Sequence, residues 1–388
     1  MRFAVIGTNF ITDRLLTAAG EVPGFRLEAV CSRTRERGRE YAAKWGAPRV
    51  FTDLDELAAC PEVDAVYIAS PNALHRAQAV RMLRAGKHVL CEKPAASNAR
   101  ELREMYAAAD ESGTLLLEAM RPAFLPSLDR LREALPRIGK VRRAVLSFCK
   151  YSSRYDRFRA GVIENAFNPS LSNGALMDIG VYCVHLLLLL FGEPEQIQAA
   201  CVKLENGVDG AGTILASYGG MTAELLYSKI SGMDDRSELQ GEDGSIFLGD
   251  ISHLGDLRLS LRGGGETPLP VETAEHDMRH ELEAFLRMAG TGRGEEPHRR
   301  RSIAAMELLD EARRQCGIRF PADETRNSDK TGTGRPPDGG RPYFMRADPR
   351  RRRASAGIRA GRAARDWYPS RPSPPNGYLD SPSRMFPA

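Results

Sequence analysis

The amino-acid sequence predicts an α/β protein: a doubly wound parallel-sheet domain, then a second α/β domain on an open, mostly antiparallel sheet. Three observations carry that reading. Over the first third of the chain, short apolar runs alternate with amphipathic stretches, the pattern of βαβ units feeding a parallel sheet. From about Arg142 the apolar residues instead alternate singly with polar ones, and several such segments have short connections, as in an antiparallel sheet with one buried face. With 388 residues, 42% hydrophobic and 27% charged, the chain can build a large core without disulfide or metal staples.

In chain order, the predicted strands of the first domain are 3–6, 27–31, 65–69, 88–91 and 115–118. The stretches 12–19, 35–45, 74–83 and 99–109 between them carry apolar residues at helical spacing. In the second domain, strands are expected at 144–148, 213–217, 223–227 and 257–261, and helices at 174–191, 278–288 and 303–314. The domains are therefore 1–122 and 123–324. The remaining segment, 325–388, holds 10 of the 24 prolines and the run Arg350–Arg353 but almost no periodic apolar residues, so it reads as a disordered basic tail.

Charge and cysteine content narrow the function classes. The net charge of +4 is +9 from residues 325–388 and −5 from residues 1–324. The body thus offers a polyanion no net basic charge, and nucleic acid is not an expected partner. Seven cysteines, an odd number never closer than 18 residues apart, give no disulfide framework and no CxxC metal clip. Met1 leads straight into the first strand without a secretory leader, which points to the cytoplasm. The apolar run 186–191 falls far short of a bilayer span and reads as buried helix, so no membrane association is expected.

The first candidate chemistry lies after the first strand, where a dinucleotide-binding loop belongs. The sequence there is Gly7-Thr8-Asn9-Phe10-Ile11-Thr12, which keeps one glycine of GxGxxG; Asn9 is the remaining residue tolerant of positive φ, and the helix N-terminus still offers free N–H groups to a pyrophosphate. The second strand runs into Ser32-Arg33, with no Asp or Glu for a ribose 2′-hydroxyl. A hydroxyl and a guanidinium suit a 2′-phosphate, which favours NADP over NAD; the alternative is that Arg33 and Arg35 open a solvated helix. His276 and His280 are four apart, but Asp277 replaces the Glu of HExxH and no third ligand is evident, so no metal site is expected.

Two further segments, Ala69-Ser70-Pro71-Asn72-Ala73-Leu74-His75 and Glu92-Lys93-Pro94, each follow a strand. Together with the order of strands and helices they resemble the glucose-fructose oxidoreductase / inositol dehydrogenase family (Gfo/Idh/MocA) of nicotinamide-dependent oxidoreductases, from Met1 to about Asp323. That resemblance implies an N-terminal Rossmann domain and an open sheet that mediates assembly into a homodimer or homotetramer. It places Gly7 to Ile11, Ser70, Pro71, Asn72, His75, Glu92 and Lys93 against the cofactor, with Asn72 and His75 beside the nicotinamide end. Lys93 would reach both ribose and substrate, and Pro94 would follow a cis peptide.

The helix expected from Gly174 carries Asp178, Tyr182 and His185, which at about 100° per residue share one face and line a cleft. Tyr182 stands where the family often has His, as in the glucose-fructose oxidoreductase and dimeric dihydrodiol dehydrogenase branches, which favour NADP. The usual Gly-Gly pair before this helix is Asn173-Gly174 here. The expected reaction is hydride transfer between NADP and a CH–OH carbon of a sugar, polyol or cyclic diol. Tyr182 would carry the proton, Lys93 would lower its pKa, and Asp178, with Arg121 and His185 nearby, would hold the small-molecule substrate. The rival reading is a non-catalytic NAD(P)-binding sensor or repressor on the same fold.

Overall fold

The computed structural model describes residues 1–232, 237–271 and 275–324. The tail expected from residue 325 onward lies outside the described residues. In the first third, β1 (Arg2–Ile6), β2 (Arg26–Cys31), β3 (Arg49–Phe51), β4 (Ala65–Ile68), β5 (His88–Glu92) and β6 (Leu116–Ala119) form one sheet. Between them lie α1 (Phe10–Ala19), α2 (Arg35–Trp45), α3 (Leu54–Ala59), α4 (Asn72–Arg84) and α5 (Ala99–Ser112). The strand order is β3-β2-β1-β4-β5-β6 and every pairing is parallel. This is the doubly wound topology whose ligands bind where the order reverses, here between the C-terminal ends of β1 and β4. The short elements β3 and α3 are additional to the expected set; three residues of strand give no readable alternation, although Asp53 caps α3 in the ordinary way.

Side-chain alternation divides the core along this sheet. Phe3, Val5, Ala65, Tyr67 and Leu90 face one layer, and Ala4, Ile6, Val66, Ile68, Val89 and Cys91 face the other. The second layer continues without a break into the rest of the chain, so that Leu102, Leu146, Leu225 and Leu308 belong to one core.

That second half follows α6 (Pro126–Ala134) with β7 (Val141–Cys149), α7 (Ser153–Arg159), α8 (Val181–Phe191), β8 (Gln196–Lys203), β9 (Asp209–Tyr218) and β10 (Met221–Ser228). It continues through β11 (Ser237–Gly241), β12 (Gly244–Leu248), β13 (Arg258–Leu261), β14 (Glu266–Pro268), α9 (Arg279–Thr291) and α10 (Glu296–Cys316). Its eight-stranded sheet has the order β14-β13-β12-β11-β7-β10-β9-β8. All neighbours are antiparallel except β7 and β10, which run parallel at its centre. The segment Pro169–Phe191 is long and apolar enough by composition to cross a membrane, longer than the six-residue run alone suggested. It packs instead against β7, β10 and α10, and most of it is buried inside the protein.

A boundary at residue 122 follows the chain but does not separate two cores. Helix α9, from the expected second domain, returns to the first sheet: Leu282, Phe285 and Met288 pack into the layer of Phe3 and Val5, with the Phe285 ring 5.7 Å from that of Phe3. Phe285 is fully buried. Its replacement by Ala should cost about 3–5 kcal/mol, the range for a buried phenylalanine, and should unfold the chain from 1 to 324 in one transition. Calorimetry checks this; an early, separate transition of the first sheet would contradict the shared core.

Candidate functional site

Most of the residues singled out from the sequence line a cleft of about 420 Å³ at the C-terminal edge of the first sheet, where the second half closes over it; Gly7, Thr8, Ser32, Arg33, Pro71 and His185 do not. Each strand delivers its contribution at its C-terminal end. Gly7 follows β1 with φ +108°, and a Cβ there would stand 2.7 Å from the Ala69 carbonyl oxygen, so both backbone and space demand glycine. Asn9 does not take positive φ as expected: its φ is −116°, and it caps α1 by accepting from the N–H groups of Ile11 and Thr12. Its amide also donates to Ala69 O at 2.7 Å, tying the loop after β1 to the loop after β4. Thr12, in the position of the third glycine, is buried and donates its hydroxyl to Gly7 O at 3.0 Å. Asn9, Phe10 and Ile11 line the cleft, and Phe10 is 64% exposed.

Ser32 and Arg33 lie at the end of β2, beside the Gly7-Thr8 loop, with Arg33 exposed. Sequence reasoning passed over Arg37, whose guanidinium donates to Thr8 O at 3.0 Å and Thr8 Oγ1 at 3.3 Å and so reaches the same edge from α2. A glycine-dependent turn, a helix N-terminus and two arginines thus lie at this edge of the sheet.

At the other end, Asn72 donates to Ser172 O at 3.0 Å and joins α4 to the second half. His75 is buried between two carbonyls, with Nε2 2.8 Å from Ser70 O and Nδ1 3.0 Å from Pro94 O. Burial holds its pKa below the ordinary value, and the neutral ring carries one N–H, which donates to one of the two carbonyls. The Lys93-Pro94 peptide is cis, as the resemblance implied. Glu92 accepts from Tyr67 Oη at 2.5 Å, and burial raises its pKa. Pro71 precedes α4.

Lys93 donates to Asp178 O at 2.7 Å and Oδ1 at 3.3 Å, and its Nζ stands 4.9 Å from the Tyr182 ring centroid. Asp178 lies in a turn of i→i+5 hydrogen bonding, Leu176–Gly180, that leads into α8. Its other oxygen pairs with Lys229. Despite burial, the two ammonium groups hold the Asp178 carboxyl well below its usual range, and Lys93 is pushed up by Tyr182 and Asp178. For Tyr182 the expected sign is reversed. Burial in the cleft raises its phenol above the ordinary value, and Lys93 and Arg121 offset only part of that.

Arg121 is buried and reaches the cleft; its Nε donates to Ser252 O at 3.2 Å and forms an ion pair with Asp277 Oδ2 at 3.2 Å. His185 does not reach it. The i→i+5 turn places an extra residue between Asp178 and the regular helix, so a constant 100° projection fails across it. His185 points the other way, fully buried, with Nε2 3.4 Å from Glu118 Oε2. His276 and His280 lie beside Glu21 and Glu283 at 3.8 and 3.9 Å.

Besides Arg37, the sequence reading missed Lys150, Phe148, Asp250, Ser252 and His253, which line the cleft, and Lys229 behind Asp178. Lys150 and Lys229 each follow one of the two parallel strands, β7 and β10. A strand ending in a lysine was the available signal, but the parallel pairing of these two strands is not visible in their alternation.

The helix carrying Asp178 and Tyr182 is anchored by Asp209, which accepts from Leu176 N at 2.6 Å and occupies the space beside Gly174 that a Cβ would need. Gly174 has φ +155°, and Ser172, with φ 55°, supplies the left-handed turn before it.

The first 119 residues match the model of the GFO_IDH_MocA oxidoreductase family with an NAD-binding Rossmann fold, and residues 131–247 match its GFO/IDH/MocA C-terminal domain. The chain belongs to this family and is an oxidoreductase. It is 47% identical over 326 residues to scyllo-inositol 2-dehydrogenase (NADP(+)) of Bacillus subtilis, covering 84% of this chain and 99% of that protein. It is 31% identical to the trans-1,2-dihydrobenzene-1,2-diol dehydrogenase of Mus musculus, with the same coverage. A 3-ketoreductase from Actinomadura kijaniata, solved with NADP and TDP-benzene, has the same fold, with TM-score 0.73, 24% identity, and 81% of this chain and 98% of that one covered.

Burial raises the Asp209 carboxyl to about 6, against hydrogen bonds from Leu176 N and its own backbone. An acid raised in the native state stabilises fully when protonated in both states, below about pH 4, and loses that contribution as pH rises through about 6. Thermal unfolding of Asp209→Asn beside the parent chain should show the parent losing ground between about pH 4 and 7. Parallel curves would contradict a buried, titrating Asp209.

Proposed function

We propose that this chain is an NADP-dependent dehydrogenase acting on a CH–OH carbon of a polyol, sugar or cyclic diol, with a cyclic polyol of the inositol type favoured. The single observation that carries the reading is the convergence of Lys93, Asp178 and Tyr182 at one point of the cleft, in a chain of this family. The 47% identity to an NADP(+)-dependent scyllo-inositol dehydrogenase supports the substrate class and the cofactor.

The residues present fit a dinucleotide: Gly7, the α1 N-terminus, Ser70 and His75 line its path, and Arg33 with Arg37 would hold a 2′-phosphate. When bound, the nicotinamide supplies or accepts the hydride. The chain's own residues handle the proton and the substrate. Raised by burial, the Tyr182 phenol is protonated at neutral pH and serves as an acid in carbonyl reduction; in alcohol oxidation it must become a base, which Lys93 and Arg121 favour by stabilising the phenolate. Asp178, held ionised by two lysines, accepts a hydrogen bond from a substrate hydroxyl and fixes the ring. Val202, Leu215 and Leu261 on the eight-stranded sheet are exposed, which supports assembly of two or four copies through that sheet; a cytoplasmic location accompanies this reading.

A panel of inositols, aldoses and dihydrodiols followed by NADPH absorbance tests the reading; activity on none of them would sink it. Tyr182→Phe keeps the ring and should lower kcat by roughly 10²–10⁴ while NADP affinity stays near normal. His185→Asn, away from the cleft, should affect stability more than turnover, and the opposite ranking would reassign the proton carrier. Arg33→Ala should weaken NADP by about 1.5–3 kcal/mol and leave NAD nearly unchanged. Equal affinity of the parent chain for both cofactors would refute the 2′-phosphate site.

A further inference from the structure

Lys229 is a buried cation, 4% exposed in its side chain, and does not line the cleft. Its backbone is fixed on both sides: its N–H donates to Gly210 O and its carbonyl accepts from Ser152 N, both at 2.9 Å. Its Nζ packs 5.3 Å from the Phe167 ring centroid and pairs with Asp178 Oδ2, while Asp178 Oδ1 faces Lys93. Among the described residues Asp178 is its only ion-pair partner.

A buried ammonium is costly unless it is paired, so its place demands an electrostatic account. Lys93 and Asp178 alone sum to zero charge beside Tyr182. Adding Lys229 makes the cluster +1, and Lys93, its Nζ 4.9 Å from the Tyr182 ring centroid, presents positive charge to the ring. The other charged groups of the cleft do not supply this surplus: Lys150 is exposed to solvent, which screens it, Arg14 pairs with Asp277, and Asp250 with His253. Arg121 is matched by Asp277, and Glu92, bonded to Tyr67, would only oppose it. Glu281, whose two carboxylate oxygens are buried without a hydrogen-bond partner, faces Arg121 and Glu92. Asp209 faces Lys229 from β9 and is ionised at the pH where Tyr182 titrates, but it forms no ion pair with Lys229, whose ammonium is engaged by Asp178, and one of its oxygens accepts from Leu176 N.

Resting on the reading of Tyr182 as the proton carrier, we propose that Lys229 is a positioning residue. By neutralising Asp178 it leaves the Lys93 charge uncompensated and so sets the pH at which Tyr182 gives and takes its proton. Without it, Asp178 would both cancel Lys93 and draw it from the ring.

The test is the titration of Tyr182 in the NADP-loaded enzyme, read as the difference in tyrosinate absorbance between each variant and the same variant carrying Tyr182→Phe. Lys229→Met should raise the midpoint by about one pH unit, and Asp178→Asn, which removes the anion instead, should lower it. Lys229→Arg keeps the charge and should restore the parent midpoint. In alcohol oxidation, Lys229→Met should regain most of its kcat above its new midpoint, which a merely structural lesion would not. An unmoved midpoint in Lys229→Met, or an equal shift in Lys229→Arg, overturns the assignment. If Lys229→Met does not fold, Asp178→Asn and Lys229→Arg decide it by the same criteria. A shifted midpoint together with full turnover in Tyr182→Phe overturns the proton-carrier reading itself, and the proposal's claim on catalysis falls with it.

Discussion

The tie between Lys93 and Asp178 organises the molecule's chemistry. Lys93 comes from the end of β5, and Asp178 from the turn that begins the apolar helix of the second half. Their contact includes a main-chain bond, Lys93 Nζ to Asp178 O at 2.7 Å, so it fixes backbone as well as side chains. A carbonyl inside a regular helix already accepts from a residue one turn on. The i→i+5 turn at Leu176–Gly180 relaxes that pattern where an outside ammonium must approach. The join sits where one half closes over the other, beside the Tyr182 ring.

Convergence on one edge is a consequence of topology. Parallel strands put all their C-terminal ends on the same side, and the reversal of order between β1 and β4 opens the crevice there. The second sheet adds to it with its own parallel pair, whose ends bring Lys150 to the cleft and Lys229 behind Asp178. The remaining antiparallel strands send their ends both ways and supply framework, with the exception of the loop after β12, which brings Asp250, Ser252 and His253.

What was legible in the sequence divides along a physical line. Local periodicity exposed five strands and four helices of the first third, missing β3 and α3, because the strands it found are largely buried on both faces and read as apolar runs. The alignment of Tyr182 with Asp178 was also local, and the cleft contains both. His185 was misplaced because the helix is not uniform: one extra residue in the preceding turn rotates everything after it. The return of α9 onto the first sheet was invisible for a different reason. An amphipathic helix announces that it has an apolar face, not which sheet that face meets, and Phe285 against Phe3 is a contact between residues 282 positions apart. Lys229 belongs to the same class, a lysine after a strand until its long-range partner is known.

The depleted glycine loop shows how a weakened motif can keep its physical content. Of the three positions, only Gly7 combines positive φ with a carbonyl pressed against the missing side chain, so only there does glycine have no substitute. Asn9 sits in extended backbone that any residue adopts and turns its side chain to capping, worth about 1 kcal/mol at such a position. The capping oxygen occupies the Ile11 and Thr12 N–H groups, so the N-terminus offers an anion fewer free donors than a bare glycine turn would. Thr12 fills the helix–strand contact and returns a hydroxyl to Gly7 O. This loop therefore spends backbone donors and acceptors on its own rigidity. Arg37, on the neighbouring α2 edge, braces the same loop through Thr8 O and Oγ1.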